Sequence, residues 1–588
     1  MSLLKRLISV VAPIAGRIPF TRRQASEYFI DKSGNATSPR PRPFSMAADY
    51  TSWESLTDRR FTGRHLPPPK AADQPARPAV EEVLKLFSRQ GAGRQATDTS
   101  VLFSAFAQWF TDSFLRTDRS MKKDSFRKNT SNHEIDLCEI YGLDAYRTRM
   151  LRSMKGGRLR SQRLKDSNGA EGEFPEFLYE KVGGQLVVRK EFRGAGSPEF
   201  VRDCVDGKQV IRTVLRDSTC GDALSEPAKE RAALSSFLQS ALSGDLHDEG
   251  LLDRVFAVNT PGLSEEEKKA QSDALKANAF AVGLEHGNSS IGNSVLNTLF
   301  LREHNRIAGE LAKANPDWLT APDGGDERLF QTARNVLTVL LLKLVVEEYI
   351  VHISPIEFPL EMVPFVAEGK KWNKSNWIAI EFSLLYRWHS LVPDVISDGT
   401  RTLGPGEFIN NNSLVIAEGI DSLLGLLARA PAGRIGLKNT PVFLEKVEVN
   451  TLKLMREADL ASFNAYRVQF GLDPLTSFAQ LSDDPALVKE LTRLYGTIDK
   501  LEWYVGIFAE RYDAKSMMGE LLLNMVAYDA FTQALTNPLL ARNVYGKDTF
   551  SEEGLKIIEN THTLQDLVNR NCPKPPKVSF EFPKARAG

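Results

Sequence analysis

Residues 336–346, VLTVLLLKLVV, constrain this chain most. A helix that is apolar on every face must be surrounded by protein or lipid. Eleven residues interrupted by Lys343 are too short to cross a bilayer, so the run reads as a buried helix. Such a helix needs a large core around it, and 588 residues supply one. The same helical periodicity continues elsewhere. In 295–312, VLNTLFLREHNRIAGELA, apolar residues recur at Leu296, Phe300, Ile307 and Leu311. His304 falls on that stripe and reads as a hydrogen-bonded core residue.

Charge and cysteine usage exclude several classes. Lys+Arg and Asp+Glu are both 75, so the basic footprint of a general nucleic-acid binder is missing. Cys138, Cys204, Cys220 and Cys572 form no CxxC pair, which removes the usual zinc spacing and any visible disulfide framework. A Cys204–Cys220 bridge has only proximity behind it. No GxGxxG, P-loop or HExxH occurs, and GLEHGNSSIGNS at 283–294 reads as a loop. MKGGRLRSQRLKD suits a hairpin about Gly156–Gly157. The chain is therefore expected to be mainly α with a few short hairpins.

The first 32 residues carry six cationic side chains against Glu27 and Asp31. Short basic and apolar pieces of this kind suit a membrane surface, or a solvated arm. SPRPRP at 38–43 and LPPPKAADQPARP at 66–78 are proline-rich connectors. The expected division is a membrane-surface amphipathic region at 1–65, then a catalytic domain at 66–588. The polar, charge-dense stretch at about 176–280 is expected to be an insertion in it.

The segment EFSLLYRWHSLVPD, 381–394, raises a chemical question. It sets Tyr386, Trp388 and His389 together in apolar surroundings, with Tyr386 and His389 expected on one helical face. A buried histidine needs a hydrogen-bond partner or a metal, and a lone one is more often a satisfied core residue. Gln108 and Asp112, in VLFSAFAQWFTDSFLRT, are four apart and share another face. Spacing alone leaves a helical protein with a candidate redox or ligand site.

Several segments together resemble the haem-dependent peroxidase–cyclooxygenase superfamily, most closely its prostaglandin-endoperoxide synthase branch. They are FAQWFTDSFLRT, DLCEIYG, FLREHNRIAGELAKANPDW, RLFQTARNVLTVLLLKLVVEEYIVHIS, EFSLLYRWHSLVPD, INNNS and LYGTIDKLEWYVGIFAE. They occur in the family's order, and with IPFTRR and DYTSWESLTDRRFTGRHLPP they cover most of 18–175 and 281–572. The resemblance implies a helical haem peroxidase fold. His389 then takes the position of the proximal haem ligand, with Trp388 beside the cofactor, and Tyr386 that of the tyrosine that becomes a radical and removes hydrogen from a fatty acid. It also implies non-covalent haem b, a polyunsaturated fatty acid with O2 or peroxide as partners, peripheral attachment to a membrane surface, and admits a homodimer.

This chain departs from the family's pattern at named positions. Gln108 is kept, but Asp112 stands where the distal histidine would be, and Thr111 where ester-linked mammalian peroxidases carry an aspartate. Lys32 replaces the arginine that grips the fatty-acid carboxylate, Ile356 the mouth tyrosine, and Ala530 the aspirin-acetylated serine. No cysteine-rich growth-factor module precedes residue 50, which points to a bacterial-type enzyme. The leading expectation is a fatty-acid dioxygenase. A peroxidase oxidising small donors and a haem protein without turnover are the alternatives.

Overall fold

Every residue from Val336 to Val346 is buried, Lys343 included. The computed structural model describes residues 19–34, 61–118, 128–193, 246–247, 249–258, 263–355, 358–373, 376–513 and 516–582. The helices that build the site are, in chain order, α1 (Pro19–Gly34), α2 (Val101–Asp112), α3 (Ile291–Ala314), α4 (Asp326–Leu344), α5 (Ile380–Leu385), α6 (Asn412–Arg429), α7 (Glu445–Glu457), α8 (Trp503–Ala509), α9 (Glu520–Leu535) and α10 (Lys547–Glu559). Helix α3 packs on α2, α4 and α6, and α4 also packs on α10.

Lys343 is accommodated in this core by serving a helix end. Its Nζ donates to the Ile558 carbonyl at 2.7 Å, in the last turn of α10, where carbonyls lack helical partners. Beyond Leu344 the helix loosens into a π turn, Val345–Tyr349, and regains α geometry over Ile350–Ile353. A π turn inserts a residue and re-aims the side chains after it. Helix α3 starts inside the stretch expected to be a loop, so that only 283–290 is one: Ser290 caps the helix, its side chain accepting the Asn293 N–H at 3.2 Å. His304 is structural as expected, bonded to Tyr141 Oη at 2.7 Å and to the Gly157 carbonyl at 2.9 Å.

The strands are short and pair two by two, all antiparallel: β1 (Gln95–Ser100) with β8 (Pro431–Gly433), β2 (Ser161–Lys165) with β3 (Glu171–Pro175), β4 (Tyr179–Val182) with β5 (Gln185–Val188), and β6 (Ile396–Ser397) with β7 (Thr402–Leu403). The expected mainly α architecture holds. The hairpin expected at Gly156–Gly157 is smaller than its sequence suggests. Only Arg152 and Leu159 bridge across that turn, and the longer ladder is β2–β3, one turn later.

The described parts of 176–280 are built into the core, where Leu178, Val188, Phe192, Leu246, Leu252 and Phe256 are buried, and the two ends of the stretch meet. Phe177 and Phe280 form a bridge, and the Ala281 N–H donates to the Glu176 carbonyl at 2.7 Å. Cys204 and Cys220 lie outside the described residues, whereas Cys138 and Cys572 are buried free thiols.

In α1 the apolar residues divide between two sides. Ile30 is buried, while Phe20 and Tyr28 are exposed, at 71% and 62%. Arg22 anchors the helix through the carbonyls of Pro359 and Leu360. At its end a Cβ on Gly34 would lie 2.8 Å from the Trp372 ring, so only glycine fits that contact. No helix among the described residues is long and apolar enough to cross a membrane.

Candidate active site

Tyr386 and His389 do not share one helix. Helix α5 ends at Leu385, the Tyr386 backbone sits at φ −82°, ψ 10°, and Trp388 at φ −83°, ψ 50°. The Trp388 N–H turns back to the Tyr386 carbonyl at 2.9 Å, which breaks the i→i−4 ladder. His389 opens a separate short turn, His389–Leu391. The relation between the two residues therefore runs through Trp388 rather than along a helical face. Tyr386 stacks on Trp388, and Trp388 lies parallel to Phe103 of α2 at 6.3 Å.

Strand β8 fixes the histidine turn from behind. A Cβ on Gly433 would come within 2.1 Å of the Ser390 carbonyl, so glycine alone lets the backbones approach. The His389 ring is held by Glu448 of α7, whose Oε2 is 2.8 Å from Nδ1. A carboxylate only accepts, so Nδ1 carries the proton and Nε2 is the nitrogen left for a metal. Glu448 is buried and also accepts from Tyr504 Oη at 2.8 Å and from Thr440 Oγ1 at 3.1 Å.

Helix α2 carries the other candidate residues. Gln108 is exposed between buried Ala107 and Trp109. Thr111 turns its hydroxyl back to the Ala107 carbonyl at 2.8 Å, so it offers nothing outward. Asp112, one turn beyond Gln108, lines a cavity of about 490 Å³ with Arg116, His247, Glu285 and His286. Arg116 grips both Glu285 oxygens, at 2.6 and 2.9 Å. Burial works to raise the Glu285 carboxyl, but Arg116 and His286 outweigh it and hold it at about 2. Behind them burial pushes the Glu139 carboxyl well above its ordinary value.

The Tyr386 hydroxyl is fully buried and faces Tyr349, the last residue of the π turn; neither phenol closes a hydrogen bond of good geometry. Burial pushes the Tyr386 phenol up, the Tyr349 hydroxyl partly offsets this, and Asp529 adds to it. The phenol thus keeps its O–H at neutral pH. Just past Tyr349, Ile350 and Ile353 line an apolar cavity of about 210 Å³ with Leu523, Val526, Ala527 and Phe531 of α9. Ala530 is buried on α9 but is not part of that lining. Ile356 lies outside the described residues. Lys32 is exposed and lines an outer cavity of about 610 Å³, which shares Ser33, Asn524 and Ala527 with the apolar one.

The structure therefore brings Trp388, which stands between Tyr386 and His389, against Phe103 of α2, and sets Lys32 in an outer cavity that adjoins the apolar one. Sequence reasoning missed Glu448, Tyr504, Tyr349 and the charged group around Asp112. Tyr349 lies near the end of a long helical run, 326–353, whose π turn no local residue pattern announces. Glu448, within LEKVEVNTLKL, has no such signal either.

The profile of the family described as animal haem peroxidase matches residues 233–581, more than half of the chain. The chain belongs to this family. Among its relatives, prostaglandin G/H synthase 1 of Rattus norvegicus is 29% identical over 556 residues, covering 93% of this chain and 76% of the relative. Prostaglandin G/H synthase 2 of Bos taurus is 28% identical over 578 residues, covering 96% and 80%. Two solved structures share the fold. Peroxidase A from Dictyostelium discoideum has a TM-score of 0.60 at 15% identity, over 92% of this chain and 100% of that one. Oryza sativa fatty acid alpha-dioxygenase has a TM-score of 0.59 at 14% identity, over 100% and 98%.

The animal haem peroxidases are haem-dependent oxidoreductases, and this chain is an oxidoreductase of that class. Its residues fit the cofactor. His389 has one ring nitrogen engaged by Glu448 and one left to ligate. The Trp388 Nε1 is buried without a partner among the described residues, and Gln108 is exposed on an otherwise buried stretch of α2. His389 would hold the iron through the nitrogen that Glu448 leaves free.

Proposed function

We propose that this protein is a haem-dependent fatty-acid dioxygenase that works through a Tyr386 radical. The observation that carries this reading is the place of the Tyr386 hydroxyl. It is buried, stacked through its ring on the residue before His389, and faces Tyr349, whose chain neighbour Ile350 lines the apolar cavity. A bound haem b, held non-covalently, supplies a one-electron oxidant when peroxide is present. Tyr386 gives up an electron and its hydroxyl proton. The resulting phenoxyl oxygen takes a hydrogen atom from an acyl carbon between two double bonds: that C–H bond breaks and the tyrosine O–H re-forms. O2 then adds to the carbon radical. The peroxyl radical so formed takes back a hydrogen atom, which leaves a lipid hydroperoxide and restores the phenoxyl.

The remaining residues bind and orient. The apolar lining of Ile350, Ile353, Val526 and Phe531 excludes water from the acyl chain. Lys32 meets the carboxylate at the outer cavity, as a point charge without the fork of an arginine. The exposed Tyr28, which lines that cavity, and the exposed Phe20 earlier on α1 suit contact with a membrane surface from which the acid is drawn.

The polar cavity at Asp112 favours a second reading, a peroxidase that oxidises small donors. An oxygen electrode with linoleate, with and without hydrogen peroxide, separates the two when run beside a small-phenol oxidation assay. Lipid-dependent O2 uptake supports the dioxygenase. Donor oxidation without uptake supports the peroxidase and overturns the lead.

A further inference from the structure

Glu448 does more at His389 than fill a hydrogen-bonding requirement. It is a carboxylate with 2% or less of its surface exposed, on a helix whose neighbours bring it only donors. Three converge on its two oxygens. His389 Nδ1 and Thr440 Oγ1 share Oε2, at 2.8 and 3.1 Å, and Tyr504 Oη reaches Oε1 at 2.8 Å. Thr440 is pinned by its own N–H to the Phe87 carbonyl, and Tyr504 is stacked on Phe87. The acceptor, its two hydroxyl donors and the imidazole therefore form one rigid unit.

We propose that Glu448 is a positioning residue that gives the His389 ring anionic character and so makes it a strongly electron-donating ligand, with Tyr504 and Thr440 setting how strongly. The proposal rests on His389 being the proximal ligand. A carboxylate accepting the outer N–H of a metal-bound imidazole fixes the ring and raises its basicity at the other nitrogen. A charged acceptor in a low-dielectric site does this more than a neutral carbonyl would. Each hydroxyl that also donates to Glu448 draws off part of that negative charge, and Thr440 does so at the same oxygen the ring uses. An electron-rich proximal ligand assists O–O cleavage of a peroxide from behind. That is the side left to compensate when the distal position holds Asp112, a shorter side chain than the family's histidine.

The sign of the effect can be tested without turnover. The ferric/ferrous midpoint potential and the histidine–iron stretching line of the ferrous protein are measured on the haem-loaded full chain. Glu448→Gln keeps the shape and replaces a charged acceptor by a weak one. The potential is expected to rise and the line to move to lower frequency. Tyr504→Phe and Thr440→Val each remove one competing donor, so both readouts are expected to move the opposite way. A merely structural glutamate predicts lower thermal stability in all three variants, with potential and line unmoved. If Glu448→Gln fails to retain haem, the two hydroxyl variants still carry the test, because each removes a single hydroxyl. The His389→Ala variant separates this inference from the reading beneath it. If the line is present in the wild type and survives in His389→Ala, the ligation is wrong and the proposal falls with it. If it vanishes there, yet Glu448→Gln and Tyr504→Phe leave it in place or shift it in the same direction, the ligation stands and the proposal alone is overturned.

Discussion

Tyr386 and Trp388 stack with ring centroids 4.6 Å apart and planes 28° apart. The proposed radical site is thus in contact, through one aromatic ring, with the residue that precedes the proposed iron ligand. Offset aromatic pairs at this separation hold both rings in place. Phe382 closes on Tyr386 edge-on at 5.4 Å. The phenol cannot swing away without disturbing both neighbours, so its hydroxyl stays aimed at Tyr349.

His389→Ala is expected to lose haem or ligate it wrongly. No second histidine follows it within a helical turn, and Glu448 would be left buried with an empty acceptor site. The Soret band and the haem content of the purified variant check this. An unchanged band with full retention contradicts the assignment.

Peroxide activation is expected to be slow in the wild type and faster in Asp112→His. Imidazole titrates nearer neutrality than an ordinary carboxylate and reaches further across the cavity. Stopped-flow spectra after mixing with peroxide measure the rate. Wild-type rates equal to or above those of the variant tell against a distal role for this position.

Lys32→Ala is expected to raise the apparent KM for a free fatty acid and to leave that for its methyl ester unchanged. An exposed ion pair contributes at most about 1 kcal/mol, so the change is up to about fivefold. Equal responses of acid and ester would make Lys32 part of a solvated basic face.

Glu348 gives a pH prediction. Burial raises its carboxyl to about 7; the Leu564 N–H bonded to it opposes the rise and Asp566 adds to it. The folded protein therefore holds the proton more tightly than the unfolded chain. The stability this contributes is full below about 4.5, the ordinary value for Glu, and is lost as pH rises through about 7. Glu348→Gln keeps an oxygen for the Leu564 N–H and removes the titration. Relative to the wild type, its Tm is expected to rise across that window, by on the order of 1–3 kcal/mol in stability. Parallel Tm curves for the two proteins contradict this.

The parts of this architecture legible in the sequence were those set by periodicity. The buried run at 336–346, the α3 stripe with His304, and the shared face of Gln108 and Asp112 follow from one side chain per 100° of helix. Periodicity also misled at Tyr386 and His389, because a spacing of three says nothing about where the helix stops. The stop is a backbone turn at Trp388, and no glycine or proline announces it there, Pro393 coming only after His389. Glu448 was out of reach for a different reason. It lies 59 residues from His389 in sequence, and only the tertiary fold that packs α7 on the helix Val80–Phe87 brings the two together. The resemblance of EFSLLYRWHSLVPD to a family segment filled the first gap and could not fill the second.

Oxygen consumption in Tyr386→Phe tests the central claim most directly. Phenylalanine keeps the ring, its stacking on Trp388 and its contact with Phe382, and removes only the hydroxyl. With linoleate and a trace of peroxide, the variant is expected to show no lipid-dependent O2 uptake and no tyrosyl signal by electron paramagnetic resonance. Its haem content, and any oxidation of small phenols, should stay near wild type. Lipid-dependent uptake at the wild-type rate in this variant would contradict the account, because the hydrogen atom would then be leaving the substrate by a route that does not pass through Tyr386.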